Sequence, residues 1–269
     1  MIFPAEISRL SGKTGIRDKT IEKDYILTWI LIGLSSSGLR DNLVFKGGTA
    51  LRKVYIKDYR YSEDLDFTLI NHLSAVEILE KFEVIYDIAR KSANIPMRLN
   101  RREEEREDSL TFYVSYSGPL GASIERNEIK IDVALKELLQ FPTPSLPLFK
   151  EYSDQPDDIK VKTYSLEETA IEKLCSLLSS YRKEPRDVYD LWYLLKFNLI
   201  GLVFLAQPFE EKCEFKNLDS KDLKAQLDAK EPTYRKLWDQ RLRDRVAQLP
   251  HFEKVYRETK RYLRGAQLI

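Results

Sequence analysis

Asp64 and Asp66 stand one residue apart in Asp64-Leu65-Asp66-Phe67-Thr68-Leu69, a stretch that alternates polar and apolar. In a β-strand, residues two apart share a face, so the two carboxylates stand side by side. Like charges that close repel unless a cation lies between them. Hard carboxylate oxygens suit Mg²⁺ or Mn²⁺, and Mg²⁺ is usually bound by one or two carboxylates plus substrate phosphates. Glu128-Ile129-Lys130-Ile131-Asp132-Val133 alternates in the same way and offers Asp132. If its strand lies beside the first, three carboxylates reach one rim, an arrangement that can hold two metal ions for in-line displacement at phosphorus. The plain alternative is the solvated face of an edge strand.

Lys46-Gly47-Gly48-Thr49 lies just upstream. Two glycines let backbone N–H groups approach an anion closely, and the helix expected to follow adds its positive end. Thr49 can add a hydroxyl and Lys46 a charge. A Gly-Gly pair alone is most often a tight turn. The order strand, Gly-Gly-Thr turn, helix, then a strand with both aspartates combines a phosphate cradle with a metal clamp.

The elements that must position these groups follow from periodicity. Residues 17–34 read as a helix, Asn42–Phe45 as a short buried strand and 49–55 as helical. Ser74 with Glu77 predicts a capping box opening a helix to about Ala93. Ser109–Tyr116 and Glu128–Val133 both alternate and are expected to pair as a hairpin. A Pro-rich passage at 141–149 marks a lobe boundary, and residues near 159–165 offer one more strand. Ser165 with Glu168 predicts a second capping box, and Pro185 a helix start. From there the chain reads as helices with a break at Pro232.

Composition sets the outer limits. The 269 residues carry 44 Lys+Arg against 43 Asp+Glu, a balance that argues against bulk binding of polyanions. Cys175 and Cys213 are too few and too far apart in sequence for a disulfide framework or a cysteine zinc site. His72 and His251 stand alone, which disfavours a histidine metal site. The N-terminus lacks the pattern of a signal peptide, and the apolar run Ile26–Leu34 is too short to span a bilayer. A cytoplasmic protein with no membrane partner is expected. Residues 231–269 hold ten Lys/Arg against five Asp/Glu, with Tyr234, Trp238, Tyr256 and Tyr262 interleaved. Such a surface could hold folded RNA, whereas the plain reading is a solvated helix face over core aromatics.

The stretch Phe45–Tyr55, continuing through Arg60, Ser62, Asp64 and Asp66, resembles the signature of the AbiEii/AbiGii-type nucleotidyltransferases. These are toxins of bacterial toxin–antitoxin and phage abortive-infection systems, distant members of the DNA polymerase beta-like nucleotidyltransferase superfamily. Glu22–Tyr25, Lys130–Val133 and the pair of segments at Glu172–Leu174 and Pro185–Leu191 fit the pattern in order. The resemblance covers roughly residues 20–195 and says little about the last 70.

It implies a mixed-sheet α/β (α+β) nucleotidyltransferase lobe with flanking helices and a helical C-terminal lobe. The expected divisions are an N-terminal helical segment (1–40), a core lobe (41–164) and a helical lobe (165–269), with the nucleotide bound between the lobes. It implies an Mg²⁺-dependent transfer from a nucleoside triphosphate to an acceptor hydroxyl, with tRNA as the suggested acceptor, a protein side chain or a small molecule as the alternatives, and a cognate antitoxin as partner. Asp64, Asp66 and Asp132 become metal ligands. Lys46, Gly47, Gly48, Thr49 and Ser62 become phosphate-binding residues, and Arg60 either contacts phosphate or braces the loop. Lys173, at the edge of its helix's buried stripe, could neutralise the leaving pyrophosphate, or be a surface lysine. Asp187 would orient Lys173 or the attacking hydroxyl, although an acid in a first helical turn also suits the helix dipole. Arg186 and Asp190 could pair at i,i+4. A kinase-like phosphotransferase and a non-catalytic nucleotide- or partner-binding module are the rival readings.

Overall fold

The computed structural model describes residues 1–102 and 106–269. They form two compact units. The first comprises Met1–Glu137 with Thr143–Thr163, and the second Leu138–Pro142 with Tyr164–Ile269.

The first unit is built on a five-stranded mixed sheet of β1 (Leu43–Lys46), β2 (Asp64–Leu69), β3 (Met97–Arg102), β4 (Ser109–Tyr116) and β5 (Glu128–Ala134), in the order β1-β2-β5-β4-β3. β2 and β5 run parallel, and the other pairs are antiparallel. The expected β4–β5 hairpin is present. One face carries Leu65, Phe67, Leu110, Phe112, Val114, Ile129, Ile131 and Val133, all buried in the core. Ile78, Phe82, Ile85 and Ala89 of α4 (Ala75–Ala93) join the same core, and the Phe82 and Phe112 rings meet edge to face at 4.9 Å. Both arms of the Ser74–Glu77 capping box are made, so the α4 start was readable from four residues.

α1 (Pro4–Thr14) and α2 (Asp18–Ser35) belong to this unit. α2 is buried almost all round from Thr20 to Leu34. A helix with no solvated face must find partners for the charges it carries inside, here Glu22 and Asp24. After β1 the chain turns at once into the short helix α3 (Gly47–Ala50), which widens into a π turn over Leu51–Tyr55. Thr143–Thr163 adds a two-stranded ribbon, β6 (Ser145–Pro147) with β7 (Lys160–Lys162), and Thr163 bridges Phe45 at the β1 edge.

The second unit is helical: α5 (Leu166–Leu178), α6 (Pro185–Lys196), α7 (Ala206–Phe215), α8 (Leu223–Leu242) and α9 (Phe252–Gly265). Two expectations are corrected. Ser165 caps the backbone of Glu168, but the Glu168 carboxylate turns away from the cap. It accepts instead from the Gln140 and Phe141 N–H groups at 2.7 and 3.0 Å and from Lys212 at 2.9 Å. A buried acid gains more from three donors than from one helix end. Nor does α8 break at Pro232. Leu227 before the proline and Tyr234, Trp238 and Leu242 after it are all buried, and their packing outweighs the roughly 3 kcal/mol cost of an interior proline. Cys175 on α5 and Cys213 on α7 are free and buried. Among the described residues no helix is long and apolar enough to cross a membrane.

Candidate functional site

Alternation puts Asp64 and Asp66 on the face of β2 away from the core, and Lys130 and Asp132 on the same face of β5. The parallel register sets Asp66 opposite Asp132 and Asp64 opposite Lys130. The Asp132 carboxylate accepts from the Thr111 hydroxyl at 2.6 Å on β4 and meets the Lys130 ammonium at 2.8 Å. Among the described residues no three carboxylates are gathered tightly enough to hold an ion. The three carboxylates share one face of neighbouring strands, as the alternation requires, and Lys130, in register with Asp64, pairs with Asp132. The donor set still fits a hard divalent ion: three carboxylates on adjacent strands of one half-open face.

The glycine turn packs directly on this face. Gly47 has φ +81°, and a β-carbon there would lie 2.5 Å from Oδ2 of Asp66. A β-carbon on Gly48 would lie 2.2 Å from the Arg60 guanidinium. Neither position accepts a side chain without displacing a charged group of the site. Arg60 and Ser62, 4% and 6% exposed, lie in the connection leading into β2. Thr49 is also buried, and its hydroxyl donates to the Asp64 carbonyl at 2.7 Å. That bond ties the turn to the carboxylate strand, a different role from the phosphate contact expected of it. Lys46 lies 3.8 Å from Glu137.

Behind the turn lies a cluster that sequence reasoning missed. Asp24 accepts from Arg52 Nε at 3.0 Å, Lys53 Nζ at 2.5 Å and the Tyr152 hydroxyl at 2.7 Å. Glu151 meets the same two cations at 2.7 and 2.6 Å. Lys53 and Asp24 are fully buried. The available signal was an acid within a helix apolar on every side; its partners lie far away in sequence. In the same motif, Glu22 accepts from the Leu120 N–H at 2.7 Å and Tyr25 donates to Asp154 at 2.7 Å.

In the second unit Lys173 sits between Asp187 at 2.8 Å and Asp190 at 2.7 Å, and Arg182 meets Asp187 at 2.6 Å. Lys173 is 6% exposed, so it is not a surface lysine. Asp190 meets Lys173 at 2.7 Å, and Arg186 meets Glu184 at 3.3 Å. Burial alone would raise the Asp187 carboxyl, but Lys173 and Arg182 outweigh it and hold it below its usual range. Asp24 is likewise held low, with burial opposed by Lys53 and Arg52. An acid whose folded pKa lies below its unfolded value contributes stability that is present above the unfolded value and lost as pH falls through the folded one. The melting temperature is therefore expected to drop once pH falls below about 4. Glu22, raised by burial, works in the opposite sense, but its effect is complete before pH falls below its unfolded value and leaves that loss unchanged. Thermal melts from pH 6 to pH 3 check this, and a midpoint that holds down to pH 3 would refute it.

Three of the four interleaved C-terminal aromatics are core residues: Tyr234, Trp238 and Tyr256 are buried, and Tyr262 is half-buried. Several of the cations are paired along the surface, Arg243 with Asp239 and Arg241 with Glu184 among them. The base-stacking role open to these aromatics is therefore not available to the buried ones.

The chain is similar in structure to JHP933 from Helicobacter pylori, with TM-score 0.57 at 18% identity over 93% of each chain. It is also similar to a putative nucleotidyltransferase from H. pylori, with TM-score 0.51 at 17% identity over 93% of this chain and 96% of the other. At such identity the likeness concerns the fold. Comparison with curated proteins returned no match. The family model described as the nucleotidyl transferase AbiEii toxin of a type IV toxin–antitoxin system matches residues 29–258, a span that takes in β2, β5 and the Lys173 cluster, and the chain belongs to that family.

Proposed function

We propose that this chain transfers a nucleotide from a nucleoside triphosphate to an acceptor hydroxyl on tRNA in an Mg²⁺-dependent reaction, and that the modified tRNA fails in translation. The observation that supports this most is the register of Asp66 opposite Asp132, with the Gly47 turn packed on the Asp66 carboxylate. The acceptor oxygen attacks the α-phosphorus, the bond from that phosphorus to the bridging oxygen breaks, and pyrophosphate leaves. A divalent ion held by Asp64 and Asp66, with Asp132 alongside, would supply positive charge to the phosphate oxygens. The backbone at Gly47 and Gly48 faces the triphosphate, and Lys46, Arg60 and Ser62 add charge and donors. Lys173, fixed by Asp187, is the cation assigned to the leaving group. The family's toxin–antitoxin description implies a cognate antitoxin.

The test is incubation with each α-³²P-labelled triphosphate and total bacterial RNA, with Mg²⁺ or with EDTA. Label is expected at the size of tRNA and only with the metal. Label on protein or a small molecule would remove tRNA from the reading but keep the transfer. Label on RNA from γ- but not α-labelled triphosphate would make the protein a phosphotransferase.

A further inference from the structure

We propose that Arg52 is a positioning residue that sets Arg60 over the glycine turn, and so sets triphosphate affinity without touching the nucleotide. The inference rests on the proposed reading, in which Arg60 contacts phosphate. Arg52 is 3% exposed, yet it engages four residues on three separate pieces of chain. Its Nη1 donates to the Tyr59 carbonyl at 2.7 Å, and its guanidinium lies 3.7 Å from the centre of the Tyr61 ring. Arg52 therefore holds the residues on both sides of Arg60. On its other flank, Nε donates to Asp24 at 3.0 Å and Nη2 to Glu151 at 2.7 Å.

Arg60 itself donates to the Tyr61 carbonyl at 3.3 Å and packs against Gly48 closely enough to forbid a β-carbon there. The backbone around Arg60 is a connection outside helix and sheet, and the ladder of β2 begins only at Asp64. Without the sheet to fix it, that connection is held by local bonds such as the Tyr59 N–H to the Ile56 carbonyl at 3.3 Å, and Arg52 ties it to the buried Asp24 and Glu151. The π turn over Leu51–Tyr55 makes this possible. Its i→i+5 bond, from the Ile56 N–H to the Leu51 carbonyl at 2.8 Å, closes a wider turn. Two consecutive cations, Arg52 and Lys53, both reach the buried Asp24 from it. A lysine at position 52 could keep an ion pair with Asp24, but it lacks the planar fork that reaches a carbonyl and a ring at once.

The experiment measures affinity for a methylanthraniloyl-labelled nucleoside triphosphate of the transferred base, with Mg²⁺, for the wild-type protein, Arg52→Lys, Arg60→Ala and the double variant. Arg52→Lys is expected to weaken binding roughly tenfold or more, with KM raised more than kcat is lowered. In the Arg60→Ala background the same change is expected to add nothing, because its route has been removed. A wild-type affinity for Arg52→Lys, or losses that multiply in the double variant, would overturn the inference. If Arg52→Lys does not fold, Tyr61→Leu, which leaves the Asp24 ion cluster intact, decides the point in the same assay: unchanged affinity overturns it. A wild-type protein that neither binds nor transfers any triphosphate would instead overturn the proposed function.

Discussion

Replacing Asp66 by asparagine is expected to abolish nucleotide transfer while the protein stays folded. The amide keeps the shape that packs on Gly47 and removes the charge that, on the proposed reading, would hold the ion. Loss of one metal carboxylate withdraws several kcal/mol of transition-state stabilisation, or about a thousandfold or more in kcat. Stability is expected to change little, because Leu65 and Phe67 keep their buried side of β2 and the polar side is half open. Relief of repulsion with Asp64 works in the same direction. Turnover and thermal melts on the purified variant separate the two effects. Transfer at the wild-type rate would remove Asp66 from the metal site, and a collapsed melt would make the residue structural.

Removing Lys173 is expected to act first on the fold. Asp187 and Asp190 lie three residues apart on one face of α6, both buried, and Lys173 is bonded to each. In Lys173→Ala two carboxylates face one another in a low-dielectric setting with Arg182 remaining near Asp187. Breaking a buried pair by deleting one partner costs about 3–5 kcal/mol. For a chain of this size that lowers the melting temperature by about 10 °C. The double variant Lys173→Ala/Asp190→Asn should recover part of the loss, since it removes one of the stranded charges. Urea unfolding of the three proteins measures this. A Lys173→Ala variant as stable as wild type would show that the ion cluster contributes nothing to the fold.

What could be read in the sequence was what is local. The Asp64–Leu69 alternation, the Ser74 cap and the proline opening α6 each declare themselves within a few residues, and the structure has all three. β3 escaped because Met97–Arg102 is an edge strand rich in arginine, with no clean alternation. The π turn has no sequence signature, since its helical spacing over Leu51–Tyr55 reads as an ordinary helix. Pro232 misled for the opposite reason: its local rule is firm, but burial on both sides of it decides. At the site, Gly47 and Gly48 were legible as types, whereas what they make room for, Asp66 and Arg60, is a matter of packing. The Asp66–Asp132 pairing required knowing which strand lies next to β2, whereas the Lys130–Asp132 contact lies within β5, two residues apart on one face, and was open to the same alternation argument.

The Asp24 cluster also sets a condition on how the chain is made. Asp24, Arg52 and Lys53 leave the ribosome early, but Glu151 is 98 residues beyond Lys53, and Tyr152 is 128 beyond Asp24. Until they emerge, the nascent chain carries two cations and one acid that cannot be buried without leaving a net charge in the interior. The core around α2 must therefore stay open to water while the rest of the sheet is synthesised. Contacts this distant in sequence close slowly. Closure of the Asp24 cluster waits for the segment that brings Glu151, so the face bearing Asp64, Asp66 and Asp132 is completed late in synthesis, after its own residues have been made.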